Sequence, residues 1–167
     1  MSSEASELEL GSDAAEVVWL TEDPARLVGR GHPIGDFLEA WNWRVLDRAD
    51  GMVRVEAHLP AQVLNPRGEL FGGFTPTYVD FISLWAVKSK ASHDREPGRA
   101  GLVTLSMRVD YLEPIVGPTF VIESTVDATR GQTDHVRTRL VAGGVVGALA
   151  IATLRTMPGA GVGPTGP

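Results

Sequence analysis

The chain contains no cysteine, has no excess of basic residues and carries no long apolar run, and each shortage removes a class of function. Without cysteine there are no disulfides, no thiolate nucleophile and no cysteine-ligated zinc. The four histidines, His32, His58, His93 and His135, are scattered with no pair at metal-ligand spacing. Neither a metal nor a cofactor is therefore expected. Fifteen Lys and Arg stand against 21 Asp and Glu, a net charge of −6. Binding to nucleic acid through its phosphates calls for a basic face, so nucleic acid is not an expected partner. No segment approaches the ~20 apolar residues of a membrane span. The opening MSSEASELEL is acidic rather than basic and then apolar. It does not read as a signal peptide, and a cytoplasmic protein with no membrane partner is the expectation.

What is present suits one domain with its own core: 167 residues, 43% hydrophobic and 22% charged. Residues 1–30 are expected to form a partly disordered extension, 31–157 the folded domain and 158–167, PGAGVGPTGP, a flexible tail. Ala14 to Val28 reads as a short amphipathic helix built on Val17, Val18, Leu20 and Leu27 and interrupted by Pro24. Gly29 to Gly35 reads as a loop.

Between the ends a strand–helix–strand order is legible. Trp41–Leu46 and Met52–His58 predict a hairpin, since Val53, Val55 and Ala57 alternate with Arg54, Glu56 and His58. Thr75 to Lys90 predicts a helix, mostly buried because Val79, Ile82, Ala86 and Val87 share a face that Phe81, Leu84 and Trp85 widen. His93 to Gly101 reads as a charged connection. Four strands follow without a helix: Leu102–Leu112, Thr119–Ala128, Asp134–Val141 and Val145–Arg155. In the first of these Val103, Leu105, Met107 and Val109 alternate with polar neighbours. The layout is α+β, a long antiparallel meander that curls around one helix, with edges that favour a dimer.

Residues 65–80, NPRGELFGGFTPTYVD, carry the chemistry. A glycine pair, Gly72-Gly73, opens the helix and presents backbone N–H groups that lack intrahelical partners. Asp80 follows about two turns later on an otherwise apolar surface, where a carboxylate can act as a base. Amide donors for an oxyanion and a carboxylate for water are what cleavage of an ester or thioester needs. Each residue also has a plainer reading. Asn65 before Pro66 is a turn former, the glycines permit tight backbone, Asp80 could cap or pair with an arginine, and Thr104 could be a plain strand residue. Trp41, Trp43 and Trp85 read as core or interface, and His58 and His135 as surface or edge residues.

With these residues in place, the chain resembles the hot-dog-fold acyl-CoA thioesterases of the phenylacetate-pathway (PaaI-like) type, over roughly Phe37 to Met157. The resemblance rests on the spacing Asn65…Gly68…Gly72-Gly73…Asp80 and on the strand Thr104–Leu112 ending in the corner Tyr111-Leu112-Glu113-Pro114. It implies a curved antiparallel sheet wrapped around a central helix and a homodimer, or a dimer of dimers, acting on acyl-CoA. It further implies roles: Asp80 as base or nucleophile, the Gly72 N–H polarising the carbonyl, Asn65 holding carbonyl or water, Thr104 positioning that water. Asn65 and Gly72 come from one protomer and Asp80 and Thr104 from the other. Phe71 stands where that family has a histidine, so a side-chain donor is missing beside Gly73. For the CoA phosphates the candidates are Arg137 and Arg139 with Arg130, or Lys88, Lys90, Arg95 and Arg99 after the helix. A non-catalytic acyl-CoA-binding module and a carrier-protein thioesterase stay open. A hydratase would want a histidine near the helix start, where none occurs.

Overall fold

A computed structural model describes residues 21–92 and 99–158. In chain order the elements are α1 (Pro33–Phe37), β1 (Arg44–Ala49), β2 (Met52–His58), α2 (Thr75–Lys88), β3 (Arg99–Tyr111), β4 (Thr119–Arg130), β5 (Thr133–Ala142) and β6 (Val145–Pro158). The six strands form one antiparallel sheet in the order β1-β2-β4-β5-β6-β3. The expected hairpin forms, but its first strand is Arg44–Ala49 rather than Trp41–Leu46, because Ala40–Asn42 make a 3-10 turn; the later strands lie within a few residues of their expected positions. The simple meander does not form: β4, β5 and β6 follow one another, but β3 crosses to the far edge and pairs with β6. Runs of alternating residues mark strands but carry no record of which strand lies beside which.

Helix α2 lies against the concave face. Tyr78, Val79, Phe81, Ile82, Trp85, Ala86 and Val87 are all buried, on more than one side of the helix, which marks it as a core element rather than a surface one. Trp43 stacks on Tyr78 at 5.6 Å and meets Phe81 edge-on, while Phe120 of β4 closes on Tyr78 from the sheet at 5.2 Å. The Trp43 indole N–H donates to the Leu38 carbonyl at 3.2 Å, so the largest fully buried side chain is also satisfied. At the C-terminal end of the helix Lys90 donates to Asp134 and to Thr129. Asp134 is 2% exposed, and this pair ties α2 to the β4–β5 hairpin.

Three local expectations are revised. Of the proposed Ala14–Val28 helix, residues 14–20 lie outside the described set, and 21–28 contain turns and a bridge from Arg26 to Arg44 rather than a helix. Leu27 and Val28 are nonetheless buried, so core packing begins before residue 31. The Gly29–Gly35 loop ends in α1, because His32 caps it through Nδ1, which accepts from the Gly35 N–H at 3.0 Å, and Pro33 supplies a preset φ at the first position. In β3 a bulge between Thr104 and Ser106 breaks the read alternation. Leu102 and Thr104 share the helix-facing side with Met107, Val109 and Tyr111, whose partners on β6 include the buried Ala152, Ala150 and Ala148, while Val103 turns outward. Most of the loop expected over His93–Gly101, and the tail from residue 159, lie outside the described residues.

The corner after β3 rests on Gly147. The amides of Leu112 and Glu113 both donate to its carbonyl, at 2.9 and 3.1 Å. A methyl group on Gly147 would stand 2.4 Å from Ile115 Cγ1 and 3.0 Å from the Glu113 carbonyl oxygen. Gly147→Ala is expected to cost about 1–3 kcal/mol through overpacking. Urea denaturation checks this, and an unchanged midpoint contradicts the close packing of the corner.

Candidate active site

The glycine pair does not open α2 directly. Gly72–Phe74 make a 3-10 turn that runs into the α-helix at Thr75, so the first helical residues are continuous with the glycines. Thr75 is the first α-helical residue and buried, and the cap position falls on Phe74. Pro76 sits in the first turn, where its missing N–H costs nothing. The carbonyl of Phe71 accepts from the Phe74 amide at 2.9 Å, and that of Gly72 accepts from Thr75. Among the described residues no oxygen accepts from the N–H of Gly72 or Gly73, so both N–H groups at this helix start are left with no acceptor there.

Ahead of them Asn65 builds a tight turn. Its Oδ1 accepts from the amides of Arg67 (2.8 Å) and Glu69 (3.1 Å), its Nδ2 donates to the Glu69 carboxylate at 2.8 Å, and Gly68 supplies the left-handed residue at φ 75°. The Arg67 guanidinium, and after it Asn65, hold the Glu69 carboxyl below its usual range. Asn65 is thus the organiser of the turn, and its side chain is already engaged on both ends. With Glu69, Gly72, Tyr111 and Glu113 it lines a cavity of about 310 Å³.

Asp80 faces elsewhere. It is half-buried on α2 and lines a different, largely apolar cavity of about 440 Å³ with Phe81, Leu84, Trp85 and Met107. The Thr104 hydroxyl, on the helix-facing side of β3, donates to Asp80 Oδ1. No Arg or Lys forms an ion pair with Asp80 among the described residues. Trp85, read from the sequence as core or interface, is 8% exposed and also forms part of this cavity wall.

The geometry therefore sorts the candidates into two groups within one chain: Asn65 and Gly72 on one cavity, Asp80 and Thr104 on another. Eight residues along a helix span about 12 Å. A single thioester carbonyl cannot touch both Gly72 N–H and Asp80 of the same protomer.

Phe71, half-exposed at 51%, adds no polar atom. Its ring meets Phe74 edge-on at 5.9 Å and covers Gly73, where a Cβ would lie 2.7 Å from Phe71 Cε1. A Cβ at residue 73 would require this half-exposed ring to shift aside. Arg137 and Arg139 are not brought to either cavity. Alternation along β5 buries Val136, Thr138 and Leu140 and sends the two arginines to the opposite face, where they pair with Asp127 at 3.0 Å and Glu123 at 3.7 Å. Arg130 is exposed at the far end of β4, and Lys90 is committed to Asp134. Arg95 lies outside the described residues, as does the side chain of Arg99. Lys88 is the candidate cation that does line the Asp80 cavity, its ammonium 5.1 Å from the Trp85 ring centre.

Two residues at these cavities were not singled out from the sequence. His32, next to Pro33, lines the Asp80 cavity, and burial, with Lys88 second, lowers its pKa. The His-Pro pair after a glycine loop was the available sign of a helix start. Tyr111 lines the Gly72 cavity and donates its hydroxyl to the Gly72 carbonyl at 2.9 Å. Its sign was the corner motif, which marked a strand end but not a partner. Among the described residues there is no group of three or more metal-ligating side chains, and no helix is long and apolar enough to cross a membrane.

A single long helix held in a curved six-stranded antiparallel sheet defines this as a hot-dog-fold protein. Residues 67–148 match the model of the thioesterase superfamily, a span that contains Gly72, Asp80, Thr104 and Tyr111. Solved structures share the fold. The Escherichia coli PaaI protein from the phenylacetic acid degradation operon aligns at 18% identity and TM-score 0.64, over 77% of this chain and 87% of its own. A putative thioesterase related to phenylacetic acid degradation from Ralstonia eutropha aligns at 20% identity and 0.64, over 75% and 91%. The smu.793 protein of Streptococcus mutans, solved with acetyl CoA, aligns at 22% and 0.60, over 71% and 90%. No curated protein matches the sequence. The fold implied by the resemblance read from residues 65–80 and 104–114 is the one observed, and the superfamily match spans 67–80 and all of 104–114.

Proposed function

We propose that the protein is an acyl-CoA thioesterase that works as a homodimer, each site joining Asn65 and Gly72 of one protomer to Asp80 and Thr104 of the other. The observation that carries this reading is the division of the two groups between separate cavities of one chain, about 12 Å apart along the helix. Either group alone lacks half of the chemistry. A second copy can supply it, and β3 supports such pairing. It is a 13-residue edge strand whose bulge leaves Val103 (41% exposed) and Leu105 (54%) in solvent, an edge that isolated proteins ordinarily protect.

In this reading the thioester oxygen accepts from the Gly72 N–H, where the negative charge of the addition step is stabilised. Thr104 occupies one Asp80 oxygen and leaves the other to take a proton from water. The water oxygen then bonds to the carbonyl carbon, the oxyanion collapses with cleavage of the C–S bond, and the departing CoA thiolate takes the proton from Asp80. Direct attack by Asp80, through a mixed anhydride, uses the same positions. Asn65 contributes by shaping the turn ahead of Gly72. The apolar walls around Asp80, Phe81, Leu84 and Met107 suit the acyl group. The acetyl CoA bound to the Streptococcus mutans structure supports a CoA-type ligand.

Phe71 favours a second reading, an acyl-CoA-binding module without turnover, since the ring offers no donor where the family has an imidazole. Hydrolysis of a panel of straight-chain, branched and aromatic acyl-CoAs, with binding measured in parallel, separates the two. Release of free CoA from at least one member at enzymatic rates is expected, and tight binding with no release replaces the thioesterase reading with the binding module.

A further inference from the structure

We infer that Tyr111 is a positioning residue for the glycine turn, and that the Tyr-Leu-Glu-Pro corner serves to hold its hydroxyl there. This rests on reading Gly72 as the carbonyl-binding amide, and it assigns a purpose to a motif which that reading leaves unused.

Glycine has more backbone freedom than any other residue, so two in succession make a turn that is costly to keep in one conformation. The turn is restrained from behind. Phe74 donates to the Phe71 carbonyl, which orients the peptide plane carrying the Gly72 N–H. The next plane, carrying the Gly73 N–H, is held at the Gly72 carbonyl by two donors, the Thr75 amide and the Tyr111 hydroxyl at 2.9 Å. Because a trans peptide is planar, fixing its C=O fixes the opposite N–H. A hydrogen bond at the carbonyl also polarises that N–H and makes it a better donor. The Tyr111 ring stands 3.5 Å from where a Cβ of residue 72 would be, close against the turn without displacing it. The residue is 57% exposed, so its hydroxyl tip rather than burial of its ring is what the position uses.

Strand β3 makes this contact possible through its bulge. Thr104 and Tyr111 are seven residues apart, which in a regular strand places them on opposite faces. The irregularity at Leu105 brings both to the helix-facing side, where Thr104 reaches Asp80 and Tyr111 reaches Gly72. One strand thereby sets the carboxylate and the glycine turn at once. Its end is anchored by the two amide bonds from Leu112 and Glu113 to Gly147.

Tyr111→Phe removes the hydroxyl and keeps the ring. In full-length protein labelled with 15N-glycine, the Gly73 amide signal is expected to shift and to exchange with solvent several-fold faster, while Gly131 and Gly51, in hairpins that do not touch the corner, are unmoved. With the acyl-CoA that the wild type cleaves best, kcat is expected to fall about tenfold with KM within about twofold, and the melting temperature to stay unchanged. A merely structural tyrosine would lower the melting temperature and leave kcat alone. Wild-type kcat together with unmoved Gly72 and Gly73 amides in the variant overturns the proposal. Wild-type protein that cleaves no thioester overturns instead the reading of the site, and with it the catalytic part of this one. The glycine amides then still decide whether Tyr111 holds the turn.

Discussion

Asp80→Asn is expected to abolish thioester cleavage while leaving a folded protein that still binds acyl-CoA. The substitution keeps the shape of the side chain and keeps an oxygen to accept from the Thr104 hydroxyl, so the local hydrogen bond survives. What is lost is the capacity to take a proton or to attack. Removing a general base typically costs about 10²–10⁴-fold in rate, and both routes open to Asp80 fail together in this variant. Stability should change little, because Asp80 is half-buried, makes no ion pair among the described residues and contributes no apolar area to the core. The check is a comparison of kcat, of acyl-CoA affinity and of the melting curve. Turnover equal to wild type removes Asp80 from the mechanism. Loss of turnover accompanied by a collapsed melting curve would leave a folding defect as the explanation, and Asp80→Ser then offers a smaller group at the same position.

The carboxylate and the amide were legible in the sequence because both belong to one local stretch, in which a glycine pair, a helix start and an acid two turns on keep fixed spacing. The elements were legible for the same reason: alternation in Met52–His58 and the apolar breadth of α2 are properties of neighbouring residues. The contacts that span the chain were not. Lys90 meets Asp134 across 44 residues, and nothing near either residue announces the other. The β3–β6 pairing is likewise invisible to a pattern of alternation, which stays the same whichever strand lies alongside. The bulge at Leu105 shows the limit most directly. Val103, Leu105, Met107 and Val109 make a clean period of two, yet the pairing with β6 shifts after Thr104 and divides them between two faces. A hydrophobic period reports that a strand can have an apolar side. It does not report where the strand changes sides, which here lets Thr104 and Tyr111 both reach partners on or beside α2. Alternation with Val136, Thr138 and Leu140 likewise sets Arg137 and Arg139 on the face away from the helix, a placement that follows from neighbouring residues alone.

Deleting the Gly72 amide without disturbing its surroundings tests the division of the site between protomers, and the backbone permits it. Proline removes the N–H and adds its ring, and at Gly72 that N–H has no acceptor among the described residues. Position 72 opens a 3-10 turn and lies outside the left-handed region, a backbone near the φ that proline imposes. Phe71, at φ −64° and ψ 126°, already has the extended conformation that a residue before proline requires. The Cβ added at 72 meets Tyr111 at an ordinary 3.5 Å. Gly72→Pro is therefore expected to fold, with kcat lower by about 10²–10³-fold, the loss typical of one oxyanion donor. The decisive step is to unfold and refold this variant together with Asp80→Asn. In a mixed dimer one site combines both defects and the other combines an intact Gly72 with an intact Asp80. Random reassortment makes half of the dimers mixed, and half of their sites are intact, so about a quarter of wild-type activity should return from two nearly inactive proteins. If instead both groups served one site within a single chain, every site in every mixture would lack one of them and no activity would return. Recovery near one quarter fixes the site at the boundary between two copies, and its absence in a mixture shown by mass to contain mixed dimers removes the shared site and the mechanism built on it.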